Sequence, residues 1–491
     1  MTETPKDETK TVESNPKPII PEDQAVVTEH SISVNGRQLD YTATTGIMVF
    51  KAEDEKLGLK PKAAFFYVYY QLKSDTPAAE RPLTVSFNGG PGSASVWMHM
   101  GMTGPRRVEM QDYGWPKRPP FNLVDNEYTL LDSTDLLYID PVSTGFSRPV
   151  PGEAEADFHS PEKDAESMGA FIALLVTRYE RWASPKFLIG ESYGTTRAAL
   201  LAEHLQDRYG MYLNGVVLVS TLLNFMTARF DPGNDWPYIL FLPTYASSAW
   251  FHGLTAPEYK NDLARLQKDA EEFALGEYML ALAKGDRLTK AERQRVVNKL
   301  ARLTGLSREY LLAADLRVKI HRFCKELLRK DRLTVGRFDT RITGQDYDQV
   351  DDIFERDPSY YVALGTFATQ FNEYARVELG FKTDLPYEIL KPLKGWAYDK
   401  QMNRYINAGE SLRKALAQNP QMQVFVCAGY YDLSTPYFST RYTFDHLGLP
   451  ENQRKNVHWG FYEAGHMMYL HKPSLVKVMD DLHEFYAATL A

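Results

Sequence analysis

Cysteine is nearly absent from this chain: Cys324 and Cys427 are its only two among 491 residues. Their wide separation excludes a disulfide-built scaffold and reads as two buried free thiols, as a reducing compartment favours. No cysteine–histidine cluster has zinc spacing, and His466 and His471 lack an adjacent acidic ligand pattern, so no metal and no other cofactor is expected. There is no run of about 20 apolar residues, hence no expected transmembrane helix and no membrane partner. Basic charge is not in excess: 56 basic against 64 acidic residues give a net charge of −8. No basic cluster is interleaved with aromatics, which argues against nucleic acid as a partner. An apolar signal core is missing from Met1 to Gln24, a stretch rich in Pro, Glu, Lys and Thr. It reads as a disordered tail and points to a cytoplasmic location. None of this sets the oligomeric state; a homodimer is one option.

What is present is ordinary globular material, 44% apolar and 24% charged, enough to bury a large core. Ile32 and Val34, then Asn35-Gly36, then Leu39 and Tyr41 spell a hairpin within residues 28 to 50. From residue 83 to 220, β-rich runs alternate with helical periods. Leu83 to Phe87, Asp135 to Ile139, Phe187 to Ile189 and Val216 to Ser220 are the strands. Ser160-Pro161 opens a helix with Ala165, Met168, Ile172, Leu175 and Tyr179 as its buried stripe. Such alternation predicts an α/β fold, a doubly wound and mostly parallel sheet covered on both faces.

Residues 226 to about 380 change character. Strand signals fade, and Thr255-Ala256-Pro257-Glu258 and Thr289-Lys290-Ala291-Glu292 both read as capping boxes. Leu316, Ile320, Phe323 and Leu327 continue a helical period, and the charge density predicts solvated faces. Tyr360, Tyr361, Phe367, Phe371 and Tyr374 are expected in the core of this helical segment, with pocket lining as the alternative. Strands resume at Val424 to Cys427 and Val457 to Tyr462, and a last helix begins near Ser474. The expected organisation is a tail at 1–25, core at 26–225, a helical cap insertion at 226–380 and core again at 381–491.

One stretch organises the rest. Lys186 to Leu205 reads strand, tight turn, helix, with Gly190-Glu191-Ser192-Tyr193-Gly194 at the turn and Gly210 as the helix stop. Gly-x-Ser-x-Gly alone is weak, since chance supplies it in about one chain in six of this length. In this context it reads as a nucleophile elbow, with Ser192 raised clear of the sheet at the positive end of a helix. A serine hydroxyl needs a base, and the base needs an acidic partner. Asp432 and His466 each follow a predicted strand in a small-residue loop, in the order this fold uses. Asp445, His446, His458 and His471 are rivals that suit the role less well, the first two in a helix and His458 inside a strand. Acyl transfer also needs two N–H donors for an oxyanion. Tyr193 supplies one, and the glycine loop Asn88-Gly89-Gly90-Pro91-Gly92 after the Leu83 strand supplies the other.

These pieces, with Asp140-Pro141-x-x-x-Gly145-Phe146-Ser147, Asp432-x-x-x-Pro436 and Glu463-Ala464-Gly465-His466-Met467, resemble the serine carboxypeptidase family. The resemblance covers roughly residues 80–225 and 380–491. It implies an α/β-hydrolase core with a helical cap and a serine-type carboxypeptidase acting on peptides with a free C-terminus. It implies a triad of Ser192, Asp432 and His466, and oxyanion donors at the N–H groups of Gly90 and Tyr193. Asn88, Gly89 and Glu191 are implied as binders of the substrate's C-terminal carboxylate. Two carboxylates cannot share a dry site while both are charged, so Glu191 is expected to hold a proton and to act best in acid. Three positions depart from the family pattern: Ser86 replaces a tryptophan, Ser93 a cysteine, and Met102 an acidic residue before Thr103-Gly104-Pro105. The lost cysteine fits a reducing compartment. The lost tryptophan and acid weaken the expected grip on a carboxylate, so an esterase or acyltransferase on the same core is the alternative.

Overall fold

The computed structural model describes residues 20–56, 58–116, 118–393, 395–397 and 401–491. Residues 1–19 of the expected tail lie outside these, whereas its last residues already belong to the sheet, because strand β1 spans Gln24–Val34. β1 pairs with β2 (Arg37–Asp54) in the register Val34↔Arg37, leaving Asn35-Gly36 as a two-residue turn with φ of 50° and 77°. That is the turn whose twist matches paired strands. β3 (Gly58–Leu72) completes an antiparallel meander.

The main sheet continues with β4 (Leu83–Phe87), β5 (Asp135–Ile139), β6 (Lys186–Glu191), β7 (Gly215–Val219), β8 (Gln423–Gly429) and β9 (Val457–Tyr462). The sheet order is β1-β2-β3-β5-β4-β6-β7-β8-β9, with a two-residue strand at Arg148–Pro149 also pairing β3. From β5 to β9 every pairing is parallel. The strand period of two divides the side chains between the two faces. Phe65, Tyr67 and Tyr69 enter one core with Leu83, Val85 and Phe87. Phe66, Val68 and Tyr70 enter the other.

Helix α1 (Pro161–Arg178) starts where expected, with Ser160 Oγ accepting from Lys163 N at 3.2 Å. It packs on the first face with α2 (Tyr193–Tyr209), which ends at Gly210 in the left-handed conformation. The opposite face is covered by α5 (Pro358–Val377) and α6 (Lys472–Leu490). This corrects the expectation for Phe367, Phe371 and Tyr374. They sit in the core under the sheet, against Phe66 and Trp97, and not in the core of the helical segment. Tyr361 is half exposed.

The helical segment has its own core, built around α3 (Trp236–Phe251) and α4 (Lys290–Thr304) and touching Ala428 at the end of β8 and Leu433 beyond it. The Thr289 capping box forms, with both reciprocal hydrogen bonds. The one expected at Thr255 does not. Asp262, a few residues on, caps the next helix by accepting from Arg265 N, and only a single 3-10 turn forms at Pro257–Tyr259. Likewise the period from Leu316 to Leu327 is not one helix: Asp315 and Leu316 take positive φ, and the helix starts at Ile320. Cys324 and Cys427 are free and buried.

Candidate active site

β6 delivers Ser192 in a strained backbone conformation, φ 61° and ψ −128°. A serine there costs on the order of 1–3 kcal/mol and persists only where surroundings fix it. Here Ser192 N donates to Val219 O at 3.0 Å, and its own carbonyl accepts from Thr195 N at 2.9 Å. The turn is so tight that a Cβ on Gly190 would stand 2.2 Å from Gly194 O, and one on Gly89 would stand 2.4 Å from Tyr193 N. The two loops therefore touch backbone to backbone, which only glycine permits. From α2, the buried Arg197 pairs with Asp164 at 2.8 Å and donates to the carbonyl of Asn88, tying the glycine loop to the elbow's own helix. Gly90 has φ 103°, and the loop's Ser93 N donates back to Gly89 O at 2.9 Å.

Asp432 and His466 arrive from β8 and β9, on the far side of β7 from the elbow. His466 Nδ1 lies 2.7 Å from Asp432 Oδ2. Asp432 is fully buried, and its carboxylate also accepts from Ser434 N at 2.7 Å, Thr435 N at 3.1 Å and Thr435 Oγ1 at 2.7 Å. These donors satisfy a buried charge that would otherwise be costly. An Nδ1–H donated to Asp432 leaves Nε2 as the free base. The His466 backbone is held on both sides: its N–H donates to Phe338 O at 2.6 Å, and its carbonyl accepts from Ser220 Oγ at 2.6 Å. The Phe338 ring centroid is 4.9 Å from that of the imidazole. Burial opposes the imidazolium, but the carboxylate of Asp432 outweighs it and Glu191 adds to the effect, so His466 titrates above its ordinary value.

Ser192 and His466 line one cavity of about 380 Å³, together with Asn88, Gly89, Gly90 and Tyr193. No hydrogen bond joins the Ser192 hydroxyl to His466 among the described residues. Glu191 lines the same cavity and is buried. Its Oε2 accepts from Asn88 Nδ2 and from Tyr469 Oη, the latter at 3.1 Å. Asn88 is oriented by Met98 N, which donates to its Oδ1 at 3.1 Å. Glu191 Oε1 is buried with no hydrogen-bond partner among the described residues. Burial pushes the Glu191 carboxyl up to about 7, against the opposing pull of His466. Near neutrality it is thus poised to carry a proton.

The rival histidines stand elsewhere. His446 follows the helix Tyr437–Asp445, His458 is in β9 and His471 precedes α6. None of them lines the cavity. Sequence reasoning missed Thr435, Phe338, Tyr469, Trp97, Arg229 and Arg337. Thr435 had a signal, lying inside the Asp432 loop; Phe338 and Arg337 sit where no motif points. Among the described residues, no group of three or more histidine, cysteine and carboxylate side chains is placed to hold a metal ion, and no helix is long and apolar enough to cross a membrane.

The family model described as serine carboxypeptidase matches residues 50–479. Serine carboxypeptidase-like 15 of Arabidopsis thaliana is 27% identical over 194 residues, covering 39% of this chain and 43% of that relative. Serine carboxypeptidase-like 9 of the same plant is 26% identical over 167 residues, covering 33% and 37%. These alignments thus span less than half of the curated relatives' length. Among solved structures, Kex1(Δ)p, a prohormone-processing carboxypeptidase from Saccharomyces cerevisiae, aligns with a TM-score of 0.54 at 16% identity, covering 90% of this chain and 91% of that one. The shared architecture is the α/β-hydrolase fold.

Proposed function

Because this chain belongs to the serine carboxypeptidase family, we propose that it is a serine-type carboxypeptidase, releasing residues one at a time from peptide C-termini. Ser192 Oγ attacks the scissile carbonyl as His466 Nε2 takes its proton. Asp432 holds the imidazole in the required tautomer and stabilises its cation. The oxyanion is received by the N–H groups of Gly90 and Tyr193. The C–N bond breaks, the departing amino acid takes the proton from His466, and water then splits the ester to free the acid and restore Ser192.

The observation that carries the exopeptidase reading is Glu191. A buried carboxyl beside the nucleophile, with one oxygen satisfied by Asn88 and Tyr469 and the other unpartnered, is built to donate one hydrogen bond. A protonated Glu191 can bind the terminal carboxylate of a peptide where a charged one would repel it. A blocked dipeptide and its C-terminal amide provide the test. The acid is expected to be cleaved at least about tenfold more efficiently, the worth of one charge-assisted hydrogen bond; equal cleavage would count against the clamp.

A second reading, an esterase or acyltransferase on the same machinery, is favoured by Met102, a buried apolar side chain where the family pattern has an acid. Small esters turned over while blocked dipeptides are left intact would select it.

A further inference from the structure

Three charged side chains line the cavity, and two of them are arginines, Arg229 and Arg337. The third, Glu191, is neutral in acid, with its carboxyl pushed up to about 7 by burial. Asp432 lies behind His466, fully buried. A chain of net charge −8 thus presents a positive active-site cavity.

The sheet order fixes which end of a substrate meets these cations. Asn88 to Gly90 follow β4, which pairs with one edge of β6. Leu222, Phe225 and Arg229 follow β7, which pairs with its other edge. With the terminal carboxylate held at Asn88 and Glu191, the peptide crosses Ser192 and leaves over the β7 side. The residue that donates the scissile carbonyl therefore meets Arg229 and Arg337. Arg337 belongs to that side because its Nη1 donates at 3.3 Å to Ser434 Oγ, in the loop after β8. Its guanidinium lies 4.5 Å from the centre of the Phe338 ring, and Phe338 packs on His466.

Neither cation is consumed by a tight ion pair among the described residues. The nearest carboxylate to Arg337 is Asp357, at 3.8 Å from Nε, beyond hydrogen-bond length. The other oxygen of Asp357 is occupied by Arg337 N and by Ser359 N and Oγ. Nη2 of Arg337 donates to no described residue. Arg229 rests on the ring of Phe225 at 5.6 Å, at the mouth of the cavity. Planar guanidinium groups with open donors match a carboxylate with paired hydrogen bonds.

We propose that this enzyme selects peptides whose residue before the scissile bond is Asp or Glu, the side-chain carboxylate being bound by Arg337 with Arg229 at the rim. The inference rests on the carboxypeptidase reading above and adds its substrate class. Blocked dipeptides with Glu, Gln or Lys before a common C-terminal leucine test it, assayed above the ordinary carboxylate range and below the titration of Glu191. The Glu substrate is expected to exceed Gln in kcat/KM by about tenfold and Lys by more. Arg337→Gln should bring the Glu:Gln ratio near one, Arg337→Lys should keep part of it, and Arg229→Gln, at an exposed position, should lower it in part. Equal kcat/KM for Glu and Gln, or a ratio unmoved by both Gln variants, overturns the proposal while leaving the carboxypeptidase reading in place. No leucine released from any of the three would overturn the carboxypeptidase reading itself, and the proposal with it.

Discussion

Glu191 and His466 titrate as a coupled pair, each shifting the other through the cavity they share. The proposed peptide hydrolysis would require the proton on Glu191 and not on Nε2. The two demands oppose each other in pH: His466 must lose its proton as pH rises, and Glu191 must not. A bell-shaped kcat/KM is expected for peptide acids, with KM rising as pH passes about 7. An ester lacking a free carboxylate should show the ascending limb alone. Glu191→Gln keeps a donor that cannot ionise, so its KM should stay flat through the same range; a KM that still climbs with pH in that variant would remove Glu191 from the clamp. At this scale the residues the sequence points to are those whose chemistry is written locally. Ser192, Asp432 and His466 each stand beside small residues after an apolar run. Phe338, which holds His466 by a 2.6 Å backbone bond, and Arg337 beside it are joined to the site only by folding, and no local pattern marks them.

Elements position these residues through close contact more than through propensity. The elbow depends on backbone atoms where a methyl group would stand 2.2 Å from a carbonyl oxygen. Gly190→Ala is therefore expected to destabilise the protein by more than about 2 kcal/mol, by strain and overpacking, and to cut kcat sharply; urea unfolding and turnover measured together check both. Arg197→Met tests the tie between α2 and the glycine loop. It leaves Asp164 buried without its partner, and a loss of about 3–5 kcal/mol is expected. Helix starts were legible where one residue dominates, as at Ser160 and Thr289. The one at Thr255 misled, since only a 3-10 turn follows it, without a side-chain cap, and the helix starts after Asp262. Phe367, Phe371 and Tyr374 of α5 were legible as buried positions, whereas Tyr361 is half exposed and Tyr360 lines the cavity; the partner the buried ones pack on was not legible, because periodicity names a face and not what covers it.

Across the whole molecule, three buried carboxyls among the described residues hold protons longer than the unfolded chain would, and burial is the first cause in each: Glu191, Asp140 and Asp164. Burial pushes Glu191 up to about 7 and Asp140 up to about 6. Folded values raised above unfolded ones mean stability that is complete below about pH 4 and is lost as pH rises through 6 and 7. The part of the unfolding free energy that these carboxyls contribute should fall across that window, while the buried His99, whose value burial lowers to about 3, works in the opposite direction. Glu191→Gln should fall less and should exceed the wild type by about 1–3 kcal/mol near pH 8, with the two converging in acid. The doubly wound sheet was legible from alternating strand and helix periods between residues 83 and 220, and the middle helices from capping and charge. Which helices cover which face follows from long-range packing and was not. The central claim, that Ser192 drives removal of C-terminal residues, is tested most directly by mass spectrometry of one peptide incubated with the wild type and with Ser192→Ala at a pH below the titration of Glu191. Successive loss of single C-terminal residues by the wild type, and an intact peptide with the variant, is the predicted result. Internal cleavage, an untouched peptide with the wild type, or undiminished trimming by Ser192→Ala would contradict it.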